Sequence, residues 1–315
     1  MDNVPRGVRR VVTIAGVVVA ALLTWVLFTT LWLWRNQERV VFQPPAAEIG
    51  APAPAKRVDF QAADGHPLFG YVLQPGSPRA DGSPRAHDRD ESRAPGRGPR
   101  TVVIAFHGNA DLAAWLVPWA NELADRAGVV VLVPEYRGYA GISGNPSYAS
   151  AAADARAAVD FTRTSLRPSR IVLFGHSLGS AVAADIAAVM RPDAPAALVL
   201  QSPFTSAREM AARMLLPPIP WLWRRISRVH YDTRAIVAHL ECPVSVAHGT
   251  RDVVVPVRMG RQVFSAARRP GELLIVDGAG HNDVADVGGD RYWQWLTAAV
   301  WGETRIAAGV ARATD

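Results

Sequence analysis

The sequence predicts an α/β fold, a mostly parallel central sheet with helices on both faces, carried behind one N-terminal apolar helix. Three observations lead there. From residue 101 onward, short apolar runs alternate with helical segments, the order that builds parallel sheets from strand–helix–strand units. Several runs are apolar at every position, as in Val129-Val130-Val131-Leu132-Val133, which suits a strand buried on both faces. Finally, the stretch from Val11 to Trp34 holds no charged residue.

That stretch exceeds the roughly 20 helical residues that cross a bilayer core of about 30 Å. Trp32 and Trp34 stand at its far end, where indole rings favour the membrane interface. A cleaved leader would have a shorter apolar core and a small-residue cleavage site. This run ends in Trp-Leu-Trp-Arg, so a retained single-pass anchor over 11–34 is expected, with the bilayer as its partner. Arg6, Arg9 and Arg10 precede it and Arg35 and Arg39 follow. The count favours an inside N-terminus and a domain on the extracytoplasmic side.

After the basic flank 1–10 and the anchor, residues 35–56 read as a linker, Pro- and Ala-rich from 44 to 55. Two alternating runs, Arg57–Ala62 and Leu68–Leu73, are joined through Asp64-Gly65, a hairpin signal. Residues 74–100 lack apolar periodicity and repeat Gly-Ser-Pro-Arg-Ala at 76–80 and 82–86. Such a stretch buries too little apolar surface to fold, so a disordered surface insert is expected. Strands are predicted at Thr101–Phe106, Val129–Pro134, Arg170–Phe174, Ala196–Gln201, Pro243–His248 and Glu272–Val276. Helices are predicted at Leu112–Ala127, Ala149–Leu166, Leu178–Met190, Val257–Ala267 and Asp290–Val300. The domain then runs over 57–302, with a small cap at 204–240 and a tail at 303–315.

The net charge is +6, but it is concentrated outside the core. Residues 1–39 carry five Arg against Asp2 and Glu38, and residues 74–100 carry six Arg against four acids. The folded core is left nearly neutral, which argues against a nucleic-acid groove. Cys242 is the single cysteine, so neither an intrachain disulfide nor a cysteine metal site can form. Gly138, Gly141 and Gly144 do not follow a strand as a dinucleotide fingerprint would. No cofactor and no metal are expected.

The strongest chemical signal is Gly175-His176-Ser177-Leu178-Gly179, directly after the apolar run Ile171-Val172-Leu173-Phe174 and directly before an Ala-rich helical run. A strand, a sharp turn and a helix lift a serine hydroxyl clear of the sheet, and the turn is too tight for side chains at the two glycines. Ser177 is therefore the candidate nucleophile. A hydroxyl needs a base. Of eight histidines, His281 lies in a loop after the last apolar strand, at the end where open α/β sheets place their sites. Asp252 follows its own strand in His248-Gly249-Thr250-Arg251-Asp252 and is the candidate acid. Asp277 and Asp283 are alternatives, less apt as sequence neighbours of the histidine. Backbone N–H donors for an oxyanion are expected from Leu178, next to the nucleophile, and from Asn109 in Phe106-His107-Gly108-Asn109-Ala110, with Ala110 as the neighbouring choice.

These segments, with Tyr136-Arg137-Gly138-Tyr139, Ser202-Pro203-Phe204-Thr205-Ser206 and Gly280-His281-Asn282-Asp283, resemble the α/β-hydrolase superfamily over roughly residues 57–300. More narrowly, the chain is similar to a membrane-anchored branch that includes eukaryotic protein depalmitoylases and bacterial hydrolases. It departs from that branch at Ala140, at Tyr148 and in the insert, and it lacks the cysteine-rich lipid-anchored N-terminus. The resemblance implies a serine hydrolase acting on ester or thioester bonds of a small or lipid-like acyl substrate. A serine peptidase of the same fold is one alternative, with Glu209 or Glu241 reading a peptide amine. A non-catalytic membrane scaffold is another. The apolar, Pro-broken run from Met210 to Trp223 could line an acyl pocket, lean on the membrane or simply pack on the sheet. Arg137 is expected to brace loops.

Overall fold

The computed structural model describes residues 5–47, 50, 52–77, 100–190, 193–214, 221, 223, 225, 227–228 and 231–302. Most of the expected insert (78–99), part of the expected cap (215–220) and the tail 303–315 lie outside the described residues.

Among the described residues, eight strands form one sheet in the order β1-β2-β4-β3-β5-β6-β7-β8. The hairpin β1 (Lys56–Gln61) and β2 (Pro67–Leu73) is antiparallel, and β2 pairs antiparallel with β4 (Val130–Pro134). From there β3 (Thr101–Phe106), β5 (Arg170–His176), β6 (Ala197–Gln201), β7 (Val244–Gly249) and β8 (Pro270–Val276) are all parallel. The helices, numbered in chain order, are α1 (Arg6–Val41), α2 (Val117–Ala127), α3 (Tyr148–Phe161), α4 (Leu178–Val189), α5 (Ala207–Met214), α6 (Thr233–Val237), α7 (Val257–Ala266) and α8 (Val284–Trp301).

Every residue of β3, β6 and β7 is buried, as their unbroken apolar pattern demands. Two cores result. One joins α3, α4 and α7 to one face of the sheet, and the other joins α2 and α8 to the opposite face. The predicted strands are all present within a residue or two. Two predicted helices are divided. Ala113–Leu116 is a tight 3-10 turn ahead of α2, and Thr162–Leu166 closes α3 as a wider turn. Helix α8 begins earlier than expected and kinks at Gly289, whose φ is +50°.

The chain passes from β3 to β4 on one side, then crosses to β5 on the other. This reversal opens a crevice beyond the strand ends. Phe106 of β3 lies level with Gly175 of β5, and His176 with Gln201 of β6. The loops carrying Asn109 and Ser177 therefore leave the sheet side by side.

Helix α1 is longer than the expected anchor. Residues 35–41, read as linker, are helical, since Asn36, Gln37, Glu38 and Arg39 tolerate a helix and no breaker occurs until Pro44. Its apolar body is mostly exposed from Val11 to Trp32, while Leu33, Gln37 and the following Phe42 are buried against the domain. The helix is long and apolar enough to cross a membrane.

Candidate active site

The turn after β5 is strained by design of its neighbours. Ser177 has φ +52° and ψ −114°, a conformation that costs about 1–3 kcal/mol for a residue with a Cβ. Packing at the two flanking glycines enforces it. A Cβ on Gly175 would overlap the backbone of Gly179, and one on Gly179 would overlap the carbonyl of Phe106. Leu178 is the first residue of α4, so its N–H has no acceptor within the helix and lies at the positive end of the helix dipole.

Ser177, His281 and Asp252 come together from the ends of three strands. His281 Nε2 lies 2.9 Å from Ser177 Oγ, and His281 Nδ1 lies 2.7 Å from Asp252 Oδ2. With Nδ1–H donating to the carboxylate, Nε2 is an acceptor for the serine hydroxyl. Asp252 Oδ1 accepts the N–H groups of Val254 (2.9 Å) and Val255 (2.7 Å). Burial alone would raise its carboxyl pKa. Hydrogen bonds from His248 and His281 overcome that and hold it well below the usual carboxylate range. The alternatives are engaged elsewhere: Asp277 accepts from Thr250 Oγ1, and Asp283 accepts from Gly280 N.

Two further histidines support this arrangement. His248, fully buried, places Nε2 2.8 Å from Val255 O and 3.1 Å from Asp252 Oδ2, so Asp252 sits between two imidazoles. His176 Nε2–H donates to the carbonyl of His281 at 3.2 Å, and Ser202 Oγ donates to the same carbonyl at 3.3 Å. Burial, reinforced by the nearby His281, pushes the His176 pKa down to about 4.

The loop after β3 is braced from inside the fold. The buried His107 places Nε2 2.7 Å from Glu135 Oε1, while Glu135 Oε2 accepts Ala113 N–H at 3.0 Å. Burial opposes the His107 cation, but the adjacent Glu135 carboxylate raises its pKa on balance. Asn109 spends its side chain on neighbours. Its Nδ2 donates to Val41 O at 2.6 Å, and its Oδ1 accepts from Gln43 N at 2.8 Å and Tyr139 Oη at 3.0 Å. Ala110, the alternative donor, has φ +51°. Arg137 bridges Asp154 (2.7 Å) and Asp64 (2.8 Å), the bracing role expected for it.

A family model described as serine aminopeptidase, S33, matches residues 97–235. The alpha/beta hydrolase domain-containing protein WAV2 of Arabidopsis thaliana is 32% identical over 214 residues, which is 63% of this chain and 68% of that one. The chain belongs to the α/β-hydrolase family. An uncharacterized protein of Mycobacterium tuberculosis is 35% identical over 280 residues, 87% of this chain and 88% of its own. Among solved structures, an esterase of Pyrococcus furiosus superposes with a TM-score of 0.60 at 19% identity, covering 82% of this chain and 98% of that one. That likeness establishes the shared fold.

In this α/β-hydrolase, Ser177, Leu178 and His281 open into a cavity of ≈ 920 Å³. Its lining has two parts. One comes from α1, α5 and the segment after it: Leu33, Val40, Val41, Met210, Ala211 and Trp223. The other, from α2, α8 and the turns before them, mixes Trp115, Trp119 and Trp293 with Asp111, Glu122 and Asp286. The contribution of α1 was not foreseen from the sequence, and His248, expected to pack or hydrogen-bond locally, was not paired with Asp252. The pairing was signalled by the spacing of His248 and Asp252. The α1 contribution had no local signal.

Proposed function

We propose that this α/β-hydrolase cleaves carboxylic ester or thioester bonds of acyl substrates, held at a membrane by α1. Ser177 is the nucleophile, His281 the base and Asp252 the acid that orients it. The observation that carries this reading is the unbroken series Ser177 Oγ–His281 Nε2–His281 Nδ1–Asp252 Oδ2, at 2.9 and 2.7 Å, on the floor of a largely apolar cavity.

Ser177 Oγ attacks the acyl carbon while its proton passes to His281 Nε2. Asp252 stabilises the imidazolium that forms. The carbonyl oxygen becomes an oxyanion and is met by the N–H groups of Asn109 and Leu178. Collapse breaks the bond to the alcohol or thiol, which leaves with the proton from Nε2. Water then attacks the acyl-Ser177 ester, giving its proton to Nε2. The serine oxygen recovers that proton and the carboxylic acid departs. The retained-anchor reading is supported by the place of Leu33, Val40 and Val41 in the cavity wall, because removing α1 would open the wall. The domain is proposed to lie on the extracytoplasmic side, from the arginine count.

A second reading, an aminopeptidase, draws on the description of the matching family model. Glu209 and Glu241 do not line the cavity. Glu209 lies 3.5 Å from Arg234 and accepts from Thr205, while Glu241 pairs with Arg268 at 2.7 Å. Amine recognition would fall to Asp111 or Asp286 instead.

The test is hydrolysis of an ester series from acetyl to palmitoyl by the full chain and by Ser177→Ala. Turnover by the parent alone supports the hydrolase. Cleavage of N-terminal peptides with no ester turnover favours the aminopeptidase. Inertness of both toward esters and peptides leaves a scaffold.

A further inference from the structure

Helix α1 has 36 residues, about 54 Å at 1.5 Å per residue, whereas a bilayer core needs about 20 of them. Several turns are therefore free to join the domain, and they do so through one stripe. Leu33, Gln37, Val40 and Val41 fall at i, i+4, i+7 and i+8, a single helix face. Leu33 packs on Trp223 and Ala211. The buried Gln37 accepts the Arg228 N–H at 2.6 Å, and the Arg228 guanidinium donates to Trp34 O at 3.0 Å while lying 4.7 Å over the Trp34 ring. At the helix end, Val41 O and Gln43 N clamp the Asn109 side chain. Leu33, Val40 and Val41 thus border the same cavity as Ser177.

Upstream, the same helix presents exposed apolar side chains. Thr13, Thr24 and Thr30 return their hydroxyls to carbonyls four residues back at 2.9, 2.8 and 2.7 Å, as lipid surroundings require. Leu33, at the end of this exposed apolar stretch, is also the first α1 residue of the cavity lining. The carboxylates of the lining, Asp111, Glu122 and Asp286, all belong to its other part.

We infer that the last turns of α1 are the specificity-determining wall of the acyl site: the acyl chain of the ester lies against Leu33, Val40 and Val41 and enters along α1 from the bilayer. This rests on the hydrolase reading above. A chain taking this route passes from the bilayer onto apolar side chains, and the polar leaving group faces the acidic part of the lining. The length of chain accepted is then set by the membrane helix itself.

The experiment uses the full chain in detergent micelles and again in phosphatidylcholine vesicles, with nitrophenyl esters from acetyl to dodecanoyl. Val41→Trp fills the α1 side of the cavity, and Val40→Trp repeats the test at a more exposed position in case the first variant folds poorly. Ala285→Trp fills the other part. Each added methylene in an apolar pocket is worth about 10-fold or more in specificity. Val41→Trp or Val40→Trp is expected to lower the dodecanoyl-to-butyryl ratio of kcat/KM by at least about 10-fold, mainly through KM, with Ala285→Trp leaving that ratio within about 3-fold. A general loss of folding would lower both esters together. If Ala285→Trp shortens the profile and both valine variants do not, the inference is overturned while the hydrolase stands. If the parent hydrolyses none of the series, both readings fall.

Discussion

The floor and the α1 wall of the cavity are built in opposite ways. The floor is set by strand ends: Ser177, Asp252 and His281 follow β5, β7 and β8, and the sheet ladder fixes their spacing before any side chain is chosen. The wall is set by docking, where a stripe on α1 meets Ala211, Trp223 and Arg228 some two hundred residues away in sequence. The difference teaches that chemistry on this fold is anchored to the backbone hydrogen-bond network, whereas the shape of the substrate space depends on a few side-chain contacts. Substitutions on the floor should cost rate, and substitutions in the wall should cost stability and selectivity.

The largest effect is expected at Ser177, the proposed nucleophile. Ser177→Ala should lower kcat by about 10⁵-fold or more with the fold intact, read by steady-state ester hydrolysis alongside circular dichroism. Retention of most of the rate would place the nucleophile elsewhere. Asp252→Asn comes next, with a loss of about 10³–10⁴-fold, since the amide can hold His281 in the wrong tautomer and cannot stabilise its cation.

His176 sharpens the contrast in stability rather than rate. Its pKa is about 4 when folded against an ordinary value near 6.5, so the unfolded chain binds a proton first as the pH falls. Its contribution is present above about pH 6.5 and is lost as the pH drops toward 4. At pH 5 the loss relative to pH 7 is about 2 kcal/mol. Denaturant titrations at both pH values should show His176→Gln to be less acid-sensitive than the parent by about that amount. Equal sensitivity would mean that His176 is not held neutral. The smallest effect belongs to the wall. Gln37→Leu leaves the Arg228 N–H without its acceptor and should cost about 1–2 kcal/mol in the same titration. A change within error would mean that α1 docks without this bond.

The same division governs what the sequence discloses. The parallel sheet was legible because residues such as Val129 to Val133 are apolar at consecutive positions, which only burial on both faces explains. The elbow was legible because Gly175 and Gly179 are demanded by backbone overlap within five residues of Ser177. His281 and Asp252 could be picked by their place after strands, and the structure brings His281 into hydrogen-bonding reach of the serine and Asp252 into reach of His281. The helical state of residues 35–41 was missed because Gln37, Glu38 and Arg39 suit linkers and helices alike. Their role beside the cavity depends on Trp223 and Arg228, a contact that no local pattern encodes.

The most direct test of the central claim is covalent. The full chain in detergent is treated with a fluorophosphonate that phosphonylates activated serines, then digested and mapped by mass spectrometry. One adduct is expected, on Ser177, absent from Ser177→Ala and strongly slowed in Asp252→Asn. No adduct, or an adduct on another serine that persists in Ser177→Ala, would contradict it.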